Sequence, residues 1–429
     1  MAALPEVQTH LRHNFLVNIL DGAFFGFALG FASFTTILPL FVSSLTDSAL
    51  LIGLIPAIHN LGWQLPQLLS ARRIARLTRL KPVVVFLSTQ ERLPFLGLAV
   101  VALLLPVIGT RAGLFAAFFM LVWQGFGGGF AANPWQNLMG KVIPGEVRGT
   151  FFGLQSSAGN LLASVGAVIA GLLLERLPSP QDFMVCFLAA GFLMVVSWFF
   201  LSRTREPSRP VEVLTSHQHP LWRQVLAILQ SDHRFRWYLI CRFLYQFGTL
   251  ASAFYIVYAV ASLGMSELTA GMMTSVLLVT QVIVNPVFGW VADHWSRKWV
   301  MAVGAFSAFG SAMLAWLAPS LAWFYPVFVL AGVANTVFWS VGMAYTLEFG
   351  TEEERPTYVG MANTLVAPAA ILAPLIGGWV ADRAGYPAAF LLSAVAALVT
   401  GVMLTLFVTD SVRRKRVLPA PETGAQAVE

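Results

Sequence analysis

The chain is short of charge. Only 11% of its 429 residues are Asp, Glu, Lys or Arg, and 57% are apolar, whereas an ordinary soluble domain is about a quarter charged. A shortage on that scale excludes a water-facing surface over most of the chain. Cysteine is also scarce: Cys186 and Cys241 are the two present, and both fall inside apolar runs, where they read as packed hydrophobes and not as a disulfide or metal site. No Gly-Lys-Ser or Gly-Lys-Thr phosphate loop occurs, so an ATPase would have to be a separate subunit. Nor is there a dense His, Asp or Glu cluster or a nucleophile motif, His217 and His219 being too sparse. The chain is therefore not expected to be an enzyme or to carry a metal or cofactor.

What the chain does have is apolar length. About twenty residues cross a hydrocarbon core ~30 Å thick, and runs of that order lie at 15–41, 50–69, 83–107, 114–132, 151–174 and 183–201, then at 237–261, 270–291, 299–317, 323–345, 359–380 and 388–408. Lipid offers an open backbone no hydrogen-bond partner, and the alternation of barrel strands is absent, so the spans are predicted to be helices. This gives an all-α membrane protein of twelve spans with the bilayer as its first partner. The opening span is too long for a signal peptide and contains Asp21, so it stays in the mature chain.

Basic residues set the expected orientation. Arg12, the group Arg72, Arg73, Arg76, Arg79 and Lys81, Lys141, Arg148, Arg297, Lys298, Arg355 and the stretch 413–416 share one side of a twelve-span arrangement, and Arg203 to Arg236 of the central loop join them. The opposite loops hold only Arg111, Arg176 and Arg383. The basic side is expected to be cytoplasmic, with both termini there, in the inner (plasma) membrane. The net charge of +6 follows from that topology and calls for no nucleic-acid partner.

An internal repeat organises the spans. A constant shift of 207 residues aligns Gly125 with Gly332, Glu146 with Glu353, Arg148 with Arg355, Thr150 with Thr357, Gly153 with Gly360 and Phe183 with Phe390. Spans 4–6 and 10–12 are thus copies of one unit in the same orientation, the parallel repeat of two-bundle transporters with a midplane site. The expected domains are a bundle over 1–202, a linker over 203–235, a second bundle over 236–416 and a disordered tail over 417–429. Within the linker, Leu221, Trp222, Val225, Leu226 and Leu229 share one helical face, as in a helix lying on the inner leaflet.

The loop after span 8 reads Gly289-Trp-Val-Ala-Asp293-His-Trp-Ser296-Arg297-Lys298, which resembles the best-known motif of the major facilitator superfamily. Gly289 would let two helices touch, Asp293 would sit against a helix N-terminus (that of span 11), and Arg297 would hold Asp293. Ser296 stands where the family has Gly, and the matching 67–81 loop keeps the basic residues without the Gly or Asp. With Lys298, and with Arg148 and Arg355 in the stretches that enter spans 5 and 11, these residues make a candidate conformational latch. The resemblance covers essentially the whole chain. It implies two six-helix bundles, alternating access and a functional monomer. The run Gly125 to Gly129 in span 4 adds a partial likeness to proton-driven drug exporters, but Leu121 replaces their Arg, so it is read as close helix packing.

Polar groups inside spans are costly, and so mark candidate sites. Asp21, on one face with Asn14 and Asn18, is read as a water-lined proton-coupling residue, with His59 as a second candidate carrier for which a hydrogen-bonded buried histidine is the commoner outcome. Arg242, Tyr245, Gln246 and Thr249 form a matching stripe on span 7, and the resemblance implies that spans 1 and 7 line the cavity, where Asp21 and Arg242 would pair or engage substrate. Glu91 and Arg92, adjacent in span 3, are read as structural pairing groups. Asn18, Trp123, Gln124, Gln155, Asn160, Gln281, Asn285, Asn335 and Trp339 complete the expected substrate cavity. Such a lining suits a neutral or weakly charged organic solute, sugar-like or drug-like, moved by proton-coupled secondary transport. A facilitative uniporter and a non-transporting sensor on the same fold are the alternatives.

Overall fold

A computed structural model describes residues 5–34, 37–46, 49–207, 221–265 and 267–409. The tail and the linker segment 208–220 lie outside the described residues. The first half holds α1 (Pro5–Phe31), α2 (Ile37–Ser43), α3 (Ala49–Gln64), α4 (Pro66–Ile74), α5 (Lys81–Val142), α6 (Arg148–Arg176) and α7 (Gln181–Ser202). The linker contributes α8 (Leu221–Ser231). The second half holds α9 (His233–Gly248), α10 (Tyr255–Leu263), α11 (Glu267–His294), α12 (Arg297–Leu317), α13 (Phe324–Thr336), α14 (Gly342–Thr346), α15 (Arg355–Thr364), α16 (Ala367–Ala384) and α17 (Tyr386–Leu406).

Among the described residues, nine helical stretches are long and apolar enough to cross a membrane. One of them, α5, has 62 residues and would be about 93 Å long if straight. It is not straight. At Gly109 φ is 77°, a value open to glycine, and beyond it the chain folds back: Gly127 lies against the backbone of Gln90 and Gly97 against Met120. The expected spans 3 and 4 are therefore two antiparallel passes. The expected spans 2 and 7 fall on broken segments. Span 2 is interrupted at Leu65 before Pro66, which removes a donor. Span 7 is interrupted between Gly248 and Tyr255, where the Ser393 hydroxyl donates to Gly248 O (2.8 Å) and accepts from Ala251 N (3.3 Å). That one side chain satisfies two backbone groups freed by the break.

Helix α1 begins at Pro5, ten residues before the apolar run, so Asp21 sits near the middle of a pass and not close to its end. Gly22, Gly26 and Gly30 form a stripe at i, i+4 that seats α1 on α6 at Gln155, Gly159 and Gly166, a close approach that small residues permit. Cys186 and Cys241 are fully buried in apolar clusters. In α8, Val225, Ile228 and Leu229 pack into the second half, while Trp222 and Leu226 stay exposed. The apolar face read as one surface is thus divided between core and exterior.

Candidate functional site

The two halves meet at the end that carries the basic loops. On one side α6 lies against α11: Gly149 and Gly289 pack backbone to backbone, Gly153 rests on Asn285 O, Ser157 Oγ donates to Val282 O (2.6 Å) and Asn160 to Gln281 (3.3 Å). On the other side α15 lies against α4, and Gly360 rests on Gln67 and Leu68. Gly153 and Gly360 are repeat-related, and each removes the side chain that would hold the halves apart. Every hydrogen bond joining the halves among the described residues falls between the basic loops and the level of Asn160. The basic end is sealed.

Two different chemistries seal it. Beside α6, the fully buried Asp293 carboxylate accepts from Gly149 N (2.9 Å) and Thr150 N (2.6 Å) and pairs with Arg297 (2.5 Å). An anion on the free N–H groups of a helix start is favourable by charge and by hydrogen bonding. The helix capped in this way is α6, the fifth span; the expected placement against span 11 is corrected, because α11 packs on α6 whereas α15 packs on α4. Arg297 also reaches Glu348, and donates to Gly145 O in the first half (2.5 Å). Ser296 caps α12 by accepting from Trp299 N (3.3 Å), so a capping oxygen serves where the family has a turn glycine. Beside α15 the seal is made of amides: Asn363 donates to Gln67 Oε1 (2.6 Å), Asn133 donates to Gln67 O (2.8 Å) and Pro356 O (2.9 Å), and Thr364 Oγ1 accepts from Leu68 N (3.2 Å).

Arg148 and Arg355 converge on Gly140. Arg148 donates to Gly140 O and to Ile143 O (2.9 Å), staying within its own half, while Arg355 lies over Gly140 from the other half. Lys298 donates to Thr405 O (2.8 Å), inside the second half, and that bond does not join the bundles.

Two chambers lie at and beyond the level of these contacts. The first, about 430 Å³, is lined by Asp21, Glu91, Arg92, Gln155, Asn160, Gln281 and Asn285; the second, about 500 Å³, by Arg242, Tyr245, Gln246, Thr249 and Asn363. Both volumes lie in the range of small-molecule sites. Trp63, Asn335 and Trp339 belong to both linings. Trp63 and Trp339 approach across the halves with ring centroids 5.5 Å apart, and Trp339 is presented by a π-helical turn over Val337–Val341, a local irregularity frequent at functional sites.

In the first chamber Arg92 Nη2 pairs with Asp21 Oδ1 (2.9 Å) and Nη1 reaches Glu91 Oε2 (3.5 Å). Ser197 Oγ donates to Asp21 (2.6 Å) and accepts from Arg92 (3.0 Å). The glycine run explains the approach: Gly128 leaves room for the Glu91 carboxylate, while Gly125 and Gly129 seat the same pass on α3 at Gly62. Asp21 and Arg242 therefore do not meet, contrary to the pairing read from the sequence, because Arg92 already holds the carboxylate. Asn14 and Asn18 are not water-lined either. They are buried, and they bind Arg205 backbone (2.8 and 2.9 Å) and Thr204 (3.1 Å), anchoring the chain after α7. Asn18 O also accepts from Gln155 (2.7 Å).

Three further expected site residues lie outside both linings. His59 bonds Gln124 (3.0 Å) and stacks on Phe34 at 4.0 Å, and Trp123 donates to Gln90 (3.2 Å). These contacts hold neighbouring passes together. The sequence reading missed Glu348, Asn133, the pairing of Gln67 with Asn363 across the halves and the role of Ser197; for the amides, the available signal was that Gln and Asn inside spans need partners.

A cavity held between repeated helical halves, in a chain with nine helical stretches able to cross a membrane among its described residues, defines a multi-pass membrane protein. The chain belongs to the Major Facilitator Superfamily, whose family model matches residues 92–260 and 238–429. Among solved structures, the E. coli fucose:proton symporter is similar over 92% of this chain and 98% of its own, with 14% identity and a TM-score of 0.72. A bacterial homologue of the iron transporter ferroportin, in its outward-facing state, is similar over 91% and 98%, with 16% identity and a TM-score of 0.73. At such identities the likeness is one of fold. Hippocampus abundant transcript-like protein 1 of Rattus norvegicus is 28% identical over 142 residues, 33% of this chain and 27% of that protein. The match spans about a quarter of that relative's length.

Proposed function

We propose that the chain moves a small organic solute, neutral or weakly charged, by alternating access, with protons as the coupling ion. The observation behind the coupling is a charge count. Asp21 and Glu91 share the single guanidinium of Arg92 at the chamber wall, and no other charged side chain lines this chamber among the described residues. Two carboxylates and one cation leave one uncompensated negative charge in a low-dielectric site, which is costly. Binding one proton removes it. A transporter that occludes only when the charge is neutralised carries a proton with each cycle. His59, held by Gln124 and Phe34 away from both chambers, has no part in this scheme; Glu91 takes its place beside Asp21.

The rest of the lining supports that solute class: amides from Gln155, Asn160, Gln281, Asn285 and Asn335 with aromatic walls from Phe25, Trp63 and Trp339. With the basic end cytoplasmic, as the Lys and Arg distribution favours, the contacts at that end support reading this arrangement as outward-facing, in a chain we take to work as a monomer in the plasma membrane.

The test begins with thermal stabilisation across a panel of sugars and amphiphilic solutes, since ligand binding to the folded state raises stability by mass action. The best solute is then followed in proteoliposomes under an imposed pH gradient. Wild type accumulates it. Asp21→Asn and Glu91→Gln each exchange it between equal pools without accumulating it. Equal accumulation by both variants would remove this carboxylate pair from the mechanism. Equilibration without accumulation by wild type would identify a uniporter, and binding without any flux a sensor.

A further inference from the structure

The second chamber carries a charge that no carboxylate among the described residues answers. Arg242 enters it from α9 and is engaged by two long hydrogen bonds, to Thr346 Oγ1 and Asn363 Oδ1, both at 3.4 Å, and by the Tyr238 ring at 5.9 Å. A guanidinium has five N–H donors in a fixed fork. No carboxylate among the described residues lies within ion-pair distance of Arg242, and none lines this chamber. One turn further along α9, Tyr245 lines the same chamber, is 5% exposed, and has a hydroxyl with no hydrogen-bond partner among the described residues. A buried donor left unmade is costly, and an unpaired cation in a membrane interior more so. The guanidinium, with donors left over, and the idle hydroxyl belong to adjacent turns of one helix and line one cavity.

We infer that this chamber is an anion subsite for the carboxylate of an organic monocarboxylic acid, with Arg242 taking the charge and Tyr245 supplying a further hydrogen bond. Arginine is suited to a planar carboxylate, which it can hold through two parallel hydrogen bonds. The occupant is an organic acid and not an inorganic ion, because aromatic walls surround the charge: Trp63, Trp339, Phe338 and Tyr255 line the same chamber. They would cover an apolar or aromatic body attached to the carboxylate.

This deepens the proton-coupled reading and rests on it for one consequence. The first chamber holds one excess negative charge and the second one positive charge, so the empty pair is neutral. Adding one proton to the first and one carboxylate to the second keeps it neutral. Adding either alone leaves a net charge inside the membrane. Proton and monocarboxylate would therefore travel together, with no net charge moved.

The test uses the purified full-length protein at pH 7, with benzoate and indole-3-acetate as probes and benzamide and indole-3-acetamide as their uncharged partners. The acids should raise the melting temperature of wild type and the amides should not; sodium chloride at the same ionic strength should have no effect. Arg242→Gln should weaken acid binding ten- to a hundredfold, the range expected on losing a charged hydrogen bond, and Tyr245→Phe should weaken it several-fold. Arg242→Lys, which keeps the charge and loses the fork, should fall between wild type and Arg242→Gln, and so separates lost recognition from lost folding. Equal stabilisation by acids and amides, equal stabilisation by chloride, acid binding that survives Arg242→Gln, or no stabilisation by either acid would each overturn the subsite. Asp21→Asn keeps the parts apart: acid binding that persists in it while proton-driven accumulation is lost supports both proposals. Acid binding through Arg242 with accumulation indifferent to Asp21 and Glu91 supports the subsite and removes the coupling pair.

Discussion

Replacing Asp293 by Asn removes one charge from the seal and almost no volume. In the sealed state that carboxylate accepts from Gly149 N and Thr150 N at the start of α6 and pairs with Arg297. An Asn side chain keeps one acceptor oxygen, so one of the two helix-start N–H groups loses its partner, and the charge–dipole attraction is lost with it. A charge at a partly buried helix terminus contributes up to ~2 kcal/mol, and a charged hydrogen bond contributes about 1.5–3 kcal/mol. Arg297 retains Glu348 and Gly145 O, which limits the further cost of the broken ion pair. The expected loss is therefore about 2–3 kcal/mol, borne by the sealed state alone, or roughly 30- to 150-fold in the equilibrium at ~1.4 kcal/mol per factor of ten. A population of ~99:1 in favour of the seal would fall to between about 3:1 and 0.7:1. Spin labels at Thr78 and Thr351, exposed positions in opposite halves at the basic end, report the separation directly. Asp293→Asn should add a longer distance component that wild type lacks. A distance distribution unchanged from wild type, in protein that remains folded, would refute the role assigned to the carboxylate.

Other outcomes follow from the same geometry. Gly153→Ala and Gly360→Ala each place a methyl group against the opposing backbone; each should cost the sealed state about 1–3 kcal/mol, seen as the same long-distance component, and a silent Gly360→Ala beside a disruptive Gly153→Ala would contradict the paired role. Asn363→Ala strands the Gln67 side-chain oxygen and should open the α4–α15 side by about 1–3 kcal/mol, checked by cysteine cross-linking between those helices, which should weaken. A single cysteine at Thr110 should be labelled from outside intact cells and one at Ser231 should not, both positions being exposed and the native cysteines buried; the reverse pattern would invert the topology.

How far the sequence reveals this arrangement depends on the range of the interaction. The all-helical, two-half architecture is legible because lipid burial writes itself into runs of apolar residues and because the 207-residue repeat places Gly153 and Gly360 in register. The contact between Asp293 and Arg297 is legible too, since i and i+4 share a helix face. What Asp293 meets across the interface is not: that it caps α6 depends on which helices pack together. Asp21 and Arg92 lie 71 positions apart, and their meeting depends on how α5 is rotated about its axis, a quantity absent from its nearly uniform apolar pattern. Trp123 and Gln124 look like cavity residues by polarity, yet they face Gln90 and His59, because polarity within a span shows that a partner is needed without showing where it lies. The amide seal has no charge and no motif spacing to betray it.

The most direct test of proton-coupled transport is to record proton movement in proteoliposomes with a pH-sensitive dye inside, on addition of whichever solute stabilises the protein most. Wild type should draw protons inward with the solute in the absence of any imposed gradient, and Asp21→Asn and Glu91→Gln should move solute without moving protons. Solute entry by wild type with no accompanying change of internal pH would contradict the coupling assigned to the Asp21–Arg92–Glu91 group.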